Sequence, residues 1–345
     1  MASMSPEEFR RNPPGGLFLC PDDAPHLDRY LRSHRFLEPG ESILRCERAG
    51  EGNMNCVVRA HTEHRTFIVK QSRPWVEKYP QFAAPGDRAC RELEFHALTA
   101  AIPAVARSLP RLLLGDPAAH VLVLEDLGTG GDYTGLYRGE VMSGEELDVL
   151  ADLLSALHEA HASGLPHAPL PNREMRALNH AHIFEIPLAA DNGLSLDALE
   201  PGLNLAAEVL KADVEFCQRV AEMGRDIYLA DGPCLLHGDF FPGSFIRTPT
   251  GPRLIDPEFC FFGRPEYDLA ILLAHLHLAG QPTALGHRLR TRYRCAIPFD
   301  EALMLRLAGV EIMRRIIGYA QLPHSWPPGT RFRLLDTARR LVLEN

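Results

Sequence analysis

The chain has 345 residues, 46% of them hydrophobic and 23% charged, with a formal net charge of -9. That length suits two domains or lobes, and that composition suits a globular chain with a sizeable core. The acidic balance weighs against nucleic acid as a partner, because phosphate backbones are gripped through basic patches; a small, locally basic nucleotide site is still compatible with it. The eight cysteines include no C-x-x-C pair, so neither a zinc ribbon nor a redox dithiol is expected, and they read as free thiols in a reducing cytoplasm. The stretch from Met1 to Pro14 is polar, which argues against a signal peptide. No apolar run reaches the ~18–20 residues of a membrane span, so no membrane association is expected.

In chain order, a short helix is predicted over Ala24–Arg35. Strands follow at Ile43–Ala49 and Met54–Ala60, joined by a turn containing Gly50 and Gly52. Thr66–Gln71 (TFIVKQ) is a third strand, rich in β-branched residues and carrying Lys70 near its end. Gly86–Ala101 has helical periodicity, and Leu112–Leu114 and His120–Glu125 read as two more strands. A sheet-rich first lobe therefore occupies residues 1–127, and a second, mostly helical lobe residues 128–345.

In the second lobe, Ser143 with Glu146 three residues on forms a capping-box signal that opens a helix to Ala162. Gly164–Pro171 is Pro-rich and reads as a loop. Leu203–Tyr228 is predicted as one long helical region. Two short apolar runs, LLHGDF and PRLIDPEF, interrupt the helical pattern between Cys234 and Phe262. Helices resume over Tyr267–Gly280, Asp300–Leu322 and Arg331–Leu343. His275 and His277 are spaced two apart and read as packing or surface residues, not as a metal pair.

The chemistry concentrates in His237-Gly238-Asp239 and Ile255-Asp256-Pro257-Glu258. Phosphoryl transfer needs two such carboxylates, one to orient and deprotonate the attacking hydroxyl and one to hold the magnesium that bridges ATP phosphates. The first lobe supplies the complement. Lys70 is suited to ATP phosphates, and Glu92 on the next helix is suited to holding that lysine, with Glu94 as a competitor. The turn of Gly50, Gly52 and Asn53 is suited to covering phosphates, and the segment Glu125-Asp126-Leu127 to presenting backbone groups to adenine. Each feature alone has a plain reading as a surface charge or a turn. The order of Gly turn, strand lysine, helix glutamate, H-G-D and D-P-E is what points to a kinase.

At these residues the sequence resembles the aminoglycoside phosphotransferase and choline kinase superfamily, and within it the methylthioribose kinase family. The resemblance rests on Gly52-Asn53-Met54-Asn55 with Val58, Ile68-Val69-Lys70-Gln71, and Asp87-Arg88-Ala89 with Glu92. It extends to His237-Gly238-Asp239 with Gly243-Ser244, and to Asp256-Pro257-Glu258-Phe259. Asn172-Arg173-Glu174-Met175 and Arg314-Arg315 match further stretches of that family.

The resemblance implies an α+β, protein-kinase-like bilobal fold, with a small antiparallel-sheet N-terminal lobe and a larger, mostly helical C-terminal lobe. It further implies ATP and Mg2+ as cofactors, Asp239 as catalytic base, Asp256 with Glu258 at the metal, Ser244 at the metal or catalytic loop, and Arg314 and Arg315 at the acceptor. The expected partners are ATP and a small hydroxylated substrate, with a homodimer by family habit. The family has leucine, histidine and threonine where this chain has Phe240, Phe241 and Pro242. Methylthioribose, another deoxypentose, an amino alcohol or an aminoglycoside therefore all stay open as acceptor. A catalytically silent nucleotide-binding protein is the alternative of a different class; it would be expected to lack Lys70, Asp239 or Asp256.

Overall fold

The computed structural model describes residues 5–50, 54–322 and 326–345. The chain divides into two compact units. One is Met1–Thr129 together with Asp256–Glu258, and the other is Gly130–Ile255 together with Phe259–Asn345.

The first unit opens with helix α1 (Pro6–Arg11). Its N-terminus is set by a capping box between Ser5 and Glu8, with proline at the first helical position. Helix α2 (Ala24–Ser33) follows, then strands β1 (Arg45–Arg48), β2 (Cys56–His61), β3 (Thr66–Gln71), β4 (Trp75–Val76) and β5 (Tyr79–Ala83). Helices α3 (Arg88–Thr99) and α4 (Pro103–Ser108) precede strands β6 (Leu112–Asp116) and β7 (Val121–Glu125). Five strands form an antiparallel sheet in the order β1-β2-β3-β7-β6, while β4 and β5 pair as a separate hairpin.

Side chains alternate across this sheet. Val58, Ala60, Phe67, Val69, Val121 and Val123 face one core with Leu17, Leu19, Leu27 and Leu31. Ile68, Leu122 and Leu124 face the other, with Ala89 and Leu93 of α3. Lys70 has the parity of Ile68, so it points toward α3.

The second unit begins with a 3-10 turn (Tyr133–Arg138), followed by α5 (Gly144–Ala162), opened by the expected Ser143–Glu146 capping box. It continues with α6 (Arg173–His180), α7 (Leu203–Lys211) and α8 (Val214–Glu222). Strands β8 (Cys234–Leu236), β9 (Phe245–Thr248), β10 (Gly251–Leu254) and β11 (Phe261–Gly263) come next. Helices α9 (Glu266–Leu278), α10 (Thr283–Arg292), α11 (Glu301–Ile317) and α12 (Thr330–Leu343) complete it. Strands β9 and β10 pair antiparallel, as do β8 and β11. Helix α9 is buried almost all round and packs against α11, which also packs against α12.

The helical region predicted over Leu203–Tyr228 is two helices and a π-helical turn (Met223–Tyr228). The break falls at Asp213, whose carboxylate accepts from the Phe216 N–H and starts α8 afresh. All eight cysteines are free thiols. Among the described residues no helix is long and apolar enough to cross a membrane.

Candidate active site

In the first unit, the central strand β3 carries Lys70 into the protein, where its side chain is only 2% exposed. An ammonium there is costly unless paired. Its Nζ forms an ion pair with Glu92 of α3 and lies 2.7 Å from Asp256 Oδ1. Burial works against the charge, but Asp256 and then Glu92 outweigh it and hold the lysine protonated well above its ordinary range. Glu94 lies elsewhere, pairing with Arg91 at 2.8 Å. Asp256 adopts a left-handed backbone (φ 61), and its side chain stays half exposed.

Glu258, two residues on, is buried. Its Oε2 accepts from Arg88 Nε at 3.0 Å and Asn55 Nδ2 at 2.9 Å. Arg88 is fully buried and also donates to the carbonyls of Arg73 (2.9 Å), Pro85 (2.6 Å) and Met54 (2.6 Å). Arg88 and Asn55 thus tie the Glu258 loop to the start of β2, close in sequence to the glycine turn. Sequence reasoning placed both residues inside motifs without giving either a role. An arginine opening an apolar helix was the available signal.

Of the turn itself, Gly50 has a left-handed backbone (φ 75), while Gly52 and Asn53 lie outside the described residues. Glu125 ends β7 and accepts from the Arg111 N–H at 3.0 Å, and the half-buried Leu127 follows. The intervening Asp126 is held by Arg59 at 2.8 Å.

In the second unit, Asp239 lies in the loop after the buried strand β8. The preceding amides of His237 and Gly238 donate to the two oxygens of Asp268, at 2.7 and 3.0 Å, from the first turn of α9. His237 Nε2 donates to the Ile255 carbonyl at 2.9 Å, which leaves Nδ1 to accept from the Asp239 N–H at 3.3 Å. Gly238 has φ 84, and a Cβ there would lie 2.2 Å from the Phe259 carbonyl oxygen, so only glycine fits. Ser244 is buried and donates from Oγ to the Asp239 carbonyl at 2.8 Å, fixing the loop from behind.

The Asp239 carboxylate is partly exposed. One oxygen lies 3.8 Å from the guanidinium of Arg314 and 3.8 Å from that of Arg315. Both arginines are buried, not the solvated helix end that an isolated Arg-Arg pair suggests. Phe240 is fully buried core, whereas Phe241 is half buried, its ring centroid 5.1 Å from the Arg315 guanidinium. Asp268 and Glu311, which organise this half, were not singled out as site residues from the sequence.

Chemically, the first unit offers a charged lysine beside a half-exposed carboxylate, a fit for phosphate oxygens and a hard cation. The second offers a carboxylate beside two guanidinia, a fit for a hydroxyl that is becoming a phosphate ester. Among the described residues no group of three or more His, Cys, Asp or Glu is arranged as a metal cage. Magnesium in phosphoryl transfer needs only one or two carboxylates plus phosphate oxygens. Asp256 fits that role. Glu258, with Oε2 engaged by Arg88 and Asn55, sits better as a support of the loop.

Residues 45–303 match the sequence model of APH, the phosphotransferase enzyme family. Over 255 residues the chain is 24% identical to methylthioribose kinase of Exiguobacterium sibiricum, covering 70% of this chain and 63% of that protein. It is 28% identical to methylthioribose kinase of Bacillus pumilus over 255 residues, covering 69% and 61%. The chain thus spans about three-fifths of the length of the curated relatives it matches. Among solved structures, spectinomycin phosphotransferase in complex with ADP and spectinomycin superposes with a TM-score of 0.54 at 12% identity, covering 93% of this chain and 95% of that one. Choline kinase from Streptococcus pneumoniae gives 0.51 at 17% identity, covering 93% and 100%. These likenesses show the α+β fold that the sequence motifs led us to expect.

Proposed function

Because the chain belongs to the phosphotransferase enzyme family, whose sequence model covers residues 45–303 of its 345, we propose that it is an ATP-dependent kinase acting on a hydroxyl of a small sugar. The observation that carries this reading is Lys70, buried and charged between Glu92 and the half-exposed Asp256. A cation held so firmly beside a carboxylate that still reaches solvent suits the phosphates and metal of a nucleotide.

In this reading residues 1–127 form the nucleotide-binding lobe and residues 128–345 the catalytic and acceptor-binding lobe. Lys70 binds ATP phosphates and Glu92 keeps it in place. The Gly50, Gly52 and Asn53 turn covers the phosphates, and the backbone at Glu125 and Leu127 meets adenine. Asp256 would hold magnesium, which supplies charge neutralisation across the phosphates when bound. Glu258 secures the metal loop through Arg88 and Asn55. Asp239 orients the acceptor hydroxyl and takes its proton, and Ser244 fixes the Asp239 backbone. Arg314 and Arg315 hold the acceptor and its new phosphate, because planar guanidinia match phosphate oxygens in pairs.

Methylthioribose, at its anomeric hydroxyl, is the first acceptor to test, supported by the named relatives and by a binding end that carries two arginines. Another small hydroxylated acceptor is the second reading, favoured by Phe241, which brings an aromatic ring against Arg315 where the resembled family has histidine.

The test is magnesium-dependent ATP turnover, followed as ADP release, over methylthioribose, 5-deoxyribose, ribose, choline, homoserine and kanamycin. Turnover with one sugar and none with the amines is the expected result. Asp239→Asn should cut that turnover by roughly 10²–10⁴-fold, with ATP affinity nearly unchanged. Near-normal turnover in this variant would remove Asp239 from the base role.

A further inference from the structure

Arg314 and Arg315 are consecutive on α11, so their side chains leave the helix about 100° apart. Both guanidinia nevertheless end 3.8 Å from the same oxygen of Asp239. The cause lies one turn earlier on the same helix. Glu311 accepts from Arg314 Nε on Oε2 and from Arg315 Nε on Oε1, the latter at 2.7 Å. Each guanidinium spends its inner edge on Glu311 and turns an Nη2 toward Asp239.

Glu311 itself is only 3% exposed. Burial raises its carboxyl, but Arg314 and Arg315 more than reverse this and hold it anionic, well below the ordinary range. It is braced from outside the helix as well. His275 of α9 donates from Nε2 to Oε1 at 3.0 Å, and the Tyr137 hydroxyl donates to His275 Nδ1 at 2.5 Å. Burial keeps His275 neutral, down to about 4, which fits an imidazole that donates from one nitrogen and accepts at the other. Phe241 closes the cluster, its ring centroid 5.3 Å from that of His275.

We propose that Glu311, braced by His275 and Tyr137, is a positioning residue that converts two divergent arginines into one anion fork beside Asp239. The fork's ligand is the phosphate group of the phosphorylated product. This rests on the kinase reading for its biological sense, but its core claim is open to a direct test that needs no acceptor.

Charge alone and geometry make opposite forecasts for Glu311→Gln. Removing a negative charge beside two guanidinia should tighten anion binding. Removing the acceptor that aligns them should weaken it, because an amide oxygen and an amide N–H cannot both accept from guanidinium donors. The probe is inorganic phosphate, titrated into the full-length protein by calorimetry, with Arg314→Ala/Arg315→Ala as the null. We expect measurable binding by the native protein, none by the null, and a loss on the order of tenfold in Glu311→Gln.

His275→Phe retains the Glu311 charge and the ring volume but removes the brace, and should weaken phosphate in the same direction by a smaller factor. It also serves if Glu311→Gln does not fold. Equal or tighter phosphate binding by either variant overturns the proposal, as does a native protein whose phosphate binding is unchanged in the double-alanine null. If an acceptor is found in the turnover panel, its KM should rise in Glu311→Gln with the KM for ATP unmoved. If none is found, the kinase reading fails while the phosphate titration still decides the role of Glu311.

Discussion

Lys70 is a cation where an unpaired cation would cost several kcal/mol to bury, and Glu92, 1% exposed, is a carboxyl with the same problem, pushed up to about 8 by burial although Lys70 favours its charged form. Each makes the other tolerable, and the pair is worth most when compared with the loss of one member. Lys70→Met should therefore destabilise the protein by about 3 kcal/mol, because Glu92 is left buried without its counter-charge. Lys70→Met/Glu92→Leu should recover more than half of that loss. Guanidinium unfolding of the native protein and these two variants checks this, and a double variant no more stable than Lys70→Met would mean that the two charges do not depend on each other. The same logic separates Glu92 from Glu94. Two positions apart, they lie about 200° apart around the helix, but the sequence does not say which of the two faces meets β3. Only Glu92 lies on the face toward β3, while Glu94 is taken by Arg91. Arg88 and Glu258 were harder to read, since an arginine and a glutamate 170 positions apart carry no local sign that they meet.

At the scale of elements, boundaries follow the capping chemistry closely. Ser5 and Ser143 each open a helix through a capping box, and Asp300 caps α11 through the Leu303 N–H. Asp213 is the instance that sequence periodicity overran. Apolar residues continue with helical spacing on both sides of it, so the segment reads as one helix, but its carboxylate satisfies the free Phe216 amide in the first turn of α8, and α7 ends before it. Asp213→Ala should cost about 1 kcal/mol, and Asp213→Asn almost nothing, since asparagine caps equally well. Asp213 also pairs with Arg339 of α12, an exposed contact expected to add little. Thermal unfolding of both variants tests the assignment, and a loss in Asp213→Asn equal to that in Asp213→Ala would assign the effect to Arg339 instead. The short helices α4, α6 and α10 and the β4–β5 hairpin escaped prediction because segments this short carry too few apolar positions to establish a period.

At the scale of the whole molecule, acid should act on this chain through carboxylates that the fold holds ionised. Glu41 is the clearest. A hydrogen bond from Arg65, outweighing the cost of burial and aided by Thr62, lowers its carboxyl from an ordinary 4.5 to about 2. A carboxyl depressed by folding contributes stability above its unfolded value and loses it as pH falls through the folded one. The native protein should thus lose its stability advantage over Glu41→Gln between about pH 4.5 and pH 2, and retain it in full at neutral pH. Denaturant midpoints of the two proteins across that range check the sign, and an advantage that grew toward low pH would contradict it. The sequence alone determined the five strands of the β1-β2-β3-β7-β6 sheet, the helices α5, α9, α11 and α12, and the order in which Lys70, Glu92, Asp239 and Asp256 occur, because each is written in local periodicity or in a short turn motif. Tertiary structure alone decided which charges are buried and who answers them: Asp268 under the His237 and Gly238 amides, Arg88 on Glu258, His275 on Glu311, and two arginines beside one oxygen of Asp239. Burial and choice of partner depend on where distant parts of the chain return in space, and no window of sequence contains that.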